Sequence, residues 1–273
     1  MRFIAPAREA MDASVVARPP LSEWVEFRDL LAAREWPAIA QLNRRIPGRG
    51  PRFVAQTPAL QADGLHYERR IAERGEIATR ERNWHDLLNA LVWLRFPALK
   101  TALNRRQVAE IARLGSKQRS RAQCALTHFD EAGIIVALRD PALLDLWDAH
   151  DWHGLFWRRR QAWLREHATV VVFGHALLEH ALNPGQLLVG KALVAVTDAG
   201  VAMDAVVAAL TGRIAAGELL RDPQELRPLP LSGIPGWHAG NASESFYPTA
   251  PCFQPLRAGR RYPPAMRLSS GPS

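Results

Sequence analysis

Residues 83–138 read NWHDLLNALVWLRFPALKTALNRRQVAEIARLGSKQRSRAQCALTHFDEAGIIVAL, and the reading of this stretch decides the fold. Asn83 stands where a helix N-cap belongs, with Asp86 three residues on to face the free amides of the first turn. The helix this predicts runs from Trp84 to about Phe96. Pro97 suits the first turn of a second helix, which ends near Leu114 because Gly115 follows as a stop. The remainder predicts a hairpin, with Gln123–Phe129 and Ile134–Leu138 joined by Asp130-Glu131-Ala132-Gly133. A helix pair followed by a hairpin, rather than strictly alternating strand and helix, points to an α+β fold around one core.

Moving towards the N-terminus, Leu65–Thr79 predicts a second hairpin turning at Glu73-Arg74-Gly75, with Gly75 in the left-handed conformation. Arg52–Val54 reads as a short strand. Ser22–Ile46 reads as two short helices, through the spacing of Trp24, Phe27, Leu30 and Leu31 and then Ile39 and Leu42. Residues 1–21 are expected to be loose. In the other direction, Asp140-Pro141 and Asp151 open two helices, the second carrying Trp152, Phe156, Trp157 and Trp163. Thr169–Phe173 reads as a buried strand feeding a helix over Gly174–Leu182, Leu188–Val196 as the next strand, and Asp198 as the cap of a long helix ending at Gly217. Residues 22–217 then form one domain. Residues 218–273, rich in Pro and Gly, are expected to be an irregular tail lying over it.

The composition is that of a globular chain, 48 % apolar and 23 % charged. Cys124 and Cys252 form no Cys-x-x-Cys pair, so neither a disulfide framework nor a cysteine zinc site is supported. The early charges Arg2, Arg8, Glu9 and Asp12 break up any signal peptide, and Lys191, Asp198 and Asp204 interrupt the most apolar stretch, so the expectation is a cytoplasmic protein without a membrane span. A net charge of +8 invites a nucleic-acid partner. All but three of the 35 basic residues are arginine, however, a bias that a GC-rich genome also produces.

Four segments carry candidate chemistry. In Asn83–Asn89, His85 and Asn89 share a stripe with Val92 and Phe96, putting two polar groups on the core side of a helix. In Phe173–His180, His175 stands at a strand-to-helix junction, one turn before Glu179. His175 and His180 lie about 140° apart around that helix, too far for one metal, and three residues separate His175 from Glu179-His180 where the inverted zinc-protease pattern has two. Gly185–Ala192 fits Gly-x4-Gly-Lys but has Ala where a P-loop needs a magnesium-binding hydroxyl, so ATP is not expected there. Arg158-Arg159-Arg160, among tryptophans, could meet single-stranded nucleic acid, although a solvated helix face is the commoner meaning. There is no Gly-x-Ser-x-Gly elbow, and Cys124 with His128 is too little for a cysteine nucleophile.

Taken together, Thr79-Arg80-x-x-Asn83-Trp84-His85-Asp86-x-x-Asn89-Ala90, Phe129-Asp130-Glu131-x-Gly133, Phe173-Gly174-His175-Ala176-x-x-Glu179, Gly190-Lys191-Ala192 and Gly233-Ile234-Pro235-Gly236-Trp237 resemble an uncharacterised proteobacterial family, domain of unknown function 3025. The resemblance runs from about Ser22 to Pro255. It implies one family-wide unit and brings no established activity, cofactor or catalytic residue. The residues themselves suggest a hydrolase-type enzyme with a His/carboxylate pocket for a small anionic substrate, its metal requirement unspecified. His85 and His175 would supply acid-base or ligand chemistry, Asp86, Asp130 and Glu179 would orient or bind, and Arg80 and Lys191 would meet the anion. The alternative is a protein that binds nucleic acid or an acidic partner through its arginine-rich surface. His85, Asp86 and His175, with Asp130 or Glu179, are expected to converge on one pocket.

Overall fold

Every residue of Gly133–Leu138 (β3) is buried, the outcome expected of a continuous run of β-branched and aliphatic side chains covered on both faces. The computed structural model describes residues 3–115 and 118–270. Strand β3 lies between β4 (Ala168–Val172), antiparallel to it, and β5 (Val189–Thr197), parallel to it. The far edge of β5 is shared: β6 (Arg227–Pro230) pairs antiparallel with its first half and β7 (Met266–Leu268) parallel with its second. Pro228 and Pro230 are tolerated in β6 because it is an edge strand. A separate two-stranded parallel sheet joins β1 (Arg52–Ala55) to β2 (Glu76–Thr79).

The helices, in chain order, are α1 (Arg28–Ala32), α2 (Ile39–Asn43), α3 (Pro58–Gln61), α4 (Tyr67–Arg74), α5 (Trp84–Arg95), α6 (Pro97–Leu114), α7 (Arg121–Ala132), α8 (Ala142–Asp148), α9 (Arg160–Leu164), α10 (His175–His180), α11 (Met203–Ala215) and α12 (Phe246–Thr249). The fold is α+β. Helix α5 packs on α10, α6 on α11 and α7, and α7 on β3 and β5. One hydrophobic cluster extends from Val15 to Met266. Among the described residues, no helix is long and apolar enough to cross a membrane. Cys124 and Cys252 are both free.

Neither expected hairpin is present. Residues 67–74 are helical: Tyr67 and Ile71 repeat at one turn, His66 Nδ1 accepts the Glu68 amide, and Arg69 pairs with Glu73 at i,i+4. Gly75 has the expected left-handed φ of 66°, but as the cap that ends α4. In the second case Ser120 and Gln123 form a capping box that starts α7, and the helix buries Ala125, Leu126 and Phe129 on one side. Asp130 and Glu131 therefore stand in the last turn of a helix and not in a β-turn. Asp198 caps nothing; its amide donates to Leu268 O, extending the β5–β7 ladder, and α11 starts at Met203 after an Ala202 cap.

Asp151 does open a helical segment, accepting the Gly154 amide, but the next turn is a π-helix over His153–Arg158 before α9. Residues 218–273 include β6 and β7, so the segment expected to be irregular completes the main sheet. At the other end Val15, Val16 and Leu21 are buried, and the Arg8 guanidinium sits 4.6 Å and 4.7 Å from the rings of Trp36 and Trp84.

Candidate functional site

Three helix ends meet because of the register of the main sheet. Val172, the last residue of β4, pairs with Ile134 near the start of β3, so the chain leaving β4 passes beside the chain entering β3 from α7. The amides of Phe173 and Gly174 both donate to Gly133 O, at 2.9 Å and 2.8 Å. A Cβ on Gly174 would stand 2.5 Å from Ala132 Cα and from the Gly133 nitrogen, so only glycine allows this approach. The first turn of α10 is thereby pressed against the last turn of α7. Helix α5 packs on α10, with its own first turn set by the Asn83 side chain accepting the Asp86 amide at 3.0 Å.

At this junction His85 Nε2 and His175 Nε2 are 3.0 Å apart. Glu131 Oε2 lies 3.6 Å from the second and 4.0 Å from the first. On the far side of each ring stands another carboxylate: Glu179 Oε2 is 2.9 Å from His85 Nδ1, and Asp130 Oδ2 is 3.9 Å from His175 Nδ1. Ligand atoms about 2.0–2.2 Å from a common ion are themselves about 3.0–3.5 Å apart, which the three facing atoms nearly match as they stand. Among the described residues, no other group of three histidines, cysteines or carboxylates converges in this way.

The two rings titrate in opposite directions. The hydrogen bond to Glu179 outweighs burial and raises the His85 pKa above its usual value. Burial pushes His175 down to about 3, so its ring is neutral. Glu131 is raised, chiefly by burial. With a proton on Nδ1 donated to Glu179, neutral His85 turns a bare Nε2 towards His175, and the space between the two Nε2 atoms accommodates either a shared N–H proton or a metal ion.

A cleft of about 330 Å³ opens from the cluster. Its floor is a polar chain in which Lys100 Nζ donates to Asp130 Oδ1 (2.6 Å) and Asn89 Oδ1 (2.9 Å), and Asn89 Nδ2 donates to Tyr67 OH (3.0 Å). Nearby, Asn104 Nδ2 donates to Glu68 Oε2 at 2.6 Å, and burial raises the Glu68 carboxyl above its ordinary range. Burial also works against the Asp130 carboxylate, but Lys100 prevails and holds it low.

The structure thus brings together His85, His175, Asp130, Glu179 and, at the rim, Asp86 with Arg80. Asp86 is occupied in holding Arg80, which donates to it from its backbone amide, Nε and Nη2. Lys191 is a correction. Burial in β5, with the charges of Arg257 and Arg260 adding to it, lowers its pKa, and it does not line the cleft. Sequence reasoning missed Glu131, Lys100, Tyr67 and Glu68. Two of these lie in α4 and one in α7, the helices mistaken for hairpins; the available signal was the second carboxylate directly after Asp130. The Arg158–Arg160 run is engaged within the chain, Arg158 with Asp151, Arg159 with Asp140 and Arg160 with Asn241 O.

A family model described as "Protein of unknown function (DUF3025)" matches residues 51–257, a span that contains every residue of the cleft. No curated protein and no solved structure matches the chain.

Proposed function

The chain belongs to the DUF3025 family of proteins of unknown function, and we propose that it is a hydrolase-type enzyme built on one divalent-metal centre, with His85, His175 and Glu131 as ligands. The observation that carries this reading is the 3.0 Å approach of two imidazole nitrogens beside a carboxylate oxygen, at the head of a cleft. Two histidines and one glutamate form a donor set typical of catalytic sites, which leave a coordination position for water or substrate. His85, His175 and Glu131 would hold such an ion, and the chemistry it would supply is polarisation of a substrate oxygen and activation of a water near neutral pH.

The chain's own groups supply the rest. Glu179 fixes His85 in the tautomer that presents Nε2. Glu68, whose carboxyl burial raises above its ordinary range, lines the same cleft and is suited to give or take a proton there. Arg80 Nη1 has no hydrogen bond among the described residues and is available to an anionic substrate group. The cleft volume suits a small molecule.

Calorimetric titration of metal-stripped protein with Zn²⁺ tests the proposal. One ion per chain is expected to bind, and His85→Ala, His175→Ala and Glu131→Gln should each abolish binding while circular dichroism shows a folded chain. Wild-type protein with no affinity for any divalent transition ion would overturn it.

A further inference from the structure

Lys100 is 4 % exposed, and its ammonium lies 5.3 Å from the centre of the Trp93 ring. A buried ion pair such as Lys100–Asp130 is weak evidence for stability, because desolvating two charges offsets their attraction. The geometry shows another use for it. Lys100 takes Asp130 Oδ1, which leaves Oδ2 turned to His175 Nδ1 at 3.9 Å. That nitrogen is buried and makes no hydrogen bond of good geometry among the described residues, although the main-chain carbonyl of Asp130 also stands close to the ring. An Asp side chain and an imidazole need move by only about 1 Å to bring such a pair to hydrogen-bond length.

We propose that Asp130, clamped by Lys100, is the positioning residue for His175: its Oδ2 accepts the Nδ1 proton and so points the Nε2 lone pair at the metal ion. The inference rests on the reading of His85, His175 and Glu131 as metal ligands. Each ligand imidazole then has a carboxylate behind it, Glu179 for His85 and Asp130 for His175, which is the outer-shell arrangement that orients ligating histidines. Charge agrees as well. A dication, Glu131, Glu179, Asp130 and Lys100 sum to zero, so Lys100 prevents the second outer carboxylate from leaving a net negative charge in a poorly solvated site. Asn89, which accepts from Lys100 and donates to Tyr67, gives the ammonium a second fixed partner beside Asp130.

The test is Asp130→Asn, in which the amide oxygen keeps Lys100 and the amide nitrogen faces His175, forcing the ring to carry its proton on Nε2. Two quantities are read: Co²⁺ affinity with its visible absorption band, and the His175 tautomer by ¹⁵N-edited NMR in ion-free protein at mildly acidic pH. The expectation is Nδ1–H in wild type, Nε2–H in the variant, and a 10- to 100-fold loss of Co²⁺ affinity with an altered band. Asp130→Asn with wild-type affinity would overturn the inference, as would a wild-type His175 protonated on Nε2. If wild type binds neither Co²⁺ nor any other divalent transition ion, the metal reading fails alone, and the wild-type tautomer, which needs no variant to fold, still decides the role of Asp130.

Discussion

At the scale of single residues, the opposite shifts of His85 and His175 set the pH behaviour. A folded chain that keeps His175 neutral down to about pH 3 competes with an unfolded chain that protonates it near its ordinary value of 6.5. The unfolded state therefore binds more protons below that value, and stability falls as pH drops through the window, on the order of 1.4 kcal/mol per unit. His85 has the opposite sign: its raised pKa adds stability that is complete below 6.5 and is lost as pH rises through the folded value. Replacing His175 by Asn should flatten the acid limb of the thermal-unfolding profile, and an unchanged limb would show that the burial of this ring is not what drives it. Metal uptake follows His85. Because the ion displaces its Nε2 proton, affinity should weaken about tenfold per unit below the raised pKa, with about one proton released in calorimetry run in two buffers.

At the scale of elements, the cleft depends on how closely α10 approaches α7, and Gly174 is where that approach is made. An added methyl would meet backbone atoms, which cannot yield as a side chain can. Gly174→Ala should cost about 2–3 kcal/mol and separate His175 from Glu131, so that metal affinity falls with stability. Gly212, inside α11, gives the contrast: nothing lies within 4 Å of a Cβ there, and Gly212→Ala should stabilise by about 0.5–1 kcal/mol in urea unfolding with metal binding untouched. The elements also show why some segments were legible and others were not. Helices α5 and α6 could be read to within a residue because Asn83, Pro97 and Gly115 punctuate them locally. Helix α4 has only 8 residues, and an apolar pattern of that length fits a strand nearly as well as a helix until tertiary packing selects one. Helix α7 is as long as α5, but its start signal, the Ser120–Gln123 capping box, competes with Asp130–Gly133, which reads equally well as a turn into Ile134–Leu138.

At the scale of the whole molecule, the C-terminal segment is part of the architecture. Strand β7 covers the edge of β5 at Ala195–Thr197 and buries Met266, while Arg227 of β6 is held by Asp148 and by Pro263 O. A chain truncated before Met266 should therefore unfold at lower temperature and, with part of β5 uncovered, self-associate in size-exclusion chromatography. A truncated chain as stable and as monodisperse as the full one would contradict this. The sheet was hard to read for the same reason. Strand β6 is short and contains two prolines, β7 is short and follows two, and nothing within them names β5 as their partner.

What the sequence by itself determined is local: an α+β class, the boundaries of α5 and α6, the strands β4 and β5, the helix that follows β4, and the two histidines standing in first turns. These follow from caps, prolines, glycines and hydrophobic spacing that act over a few residues. Only the tertiary structure decided that the two rings meet, that Glu131 completes the cluster, that Lys100 and Asp130 stand behind it, and that Lys191 does not belong to it. The physical reason is that the meeting point is made by the antiparallel register of β4 on β3 and by a backbone approach at Gly174 that nothing larger than hydrogen permits. Both are contacts between segments about 40 residues apart, and their geometry depends on the packing of the whole core rather than on any residue type in the motifs themselves.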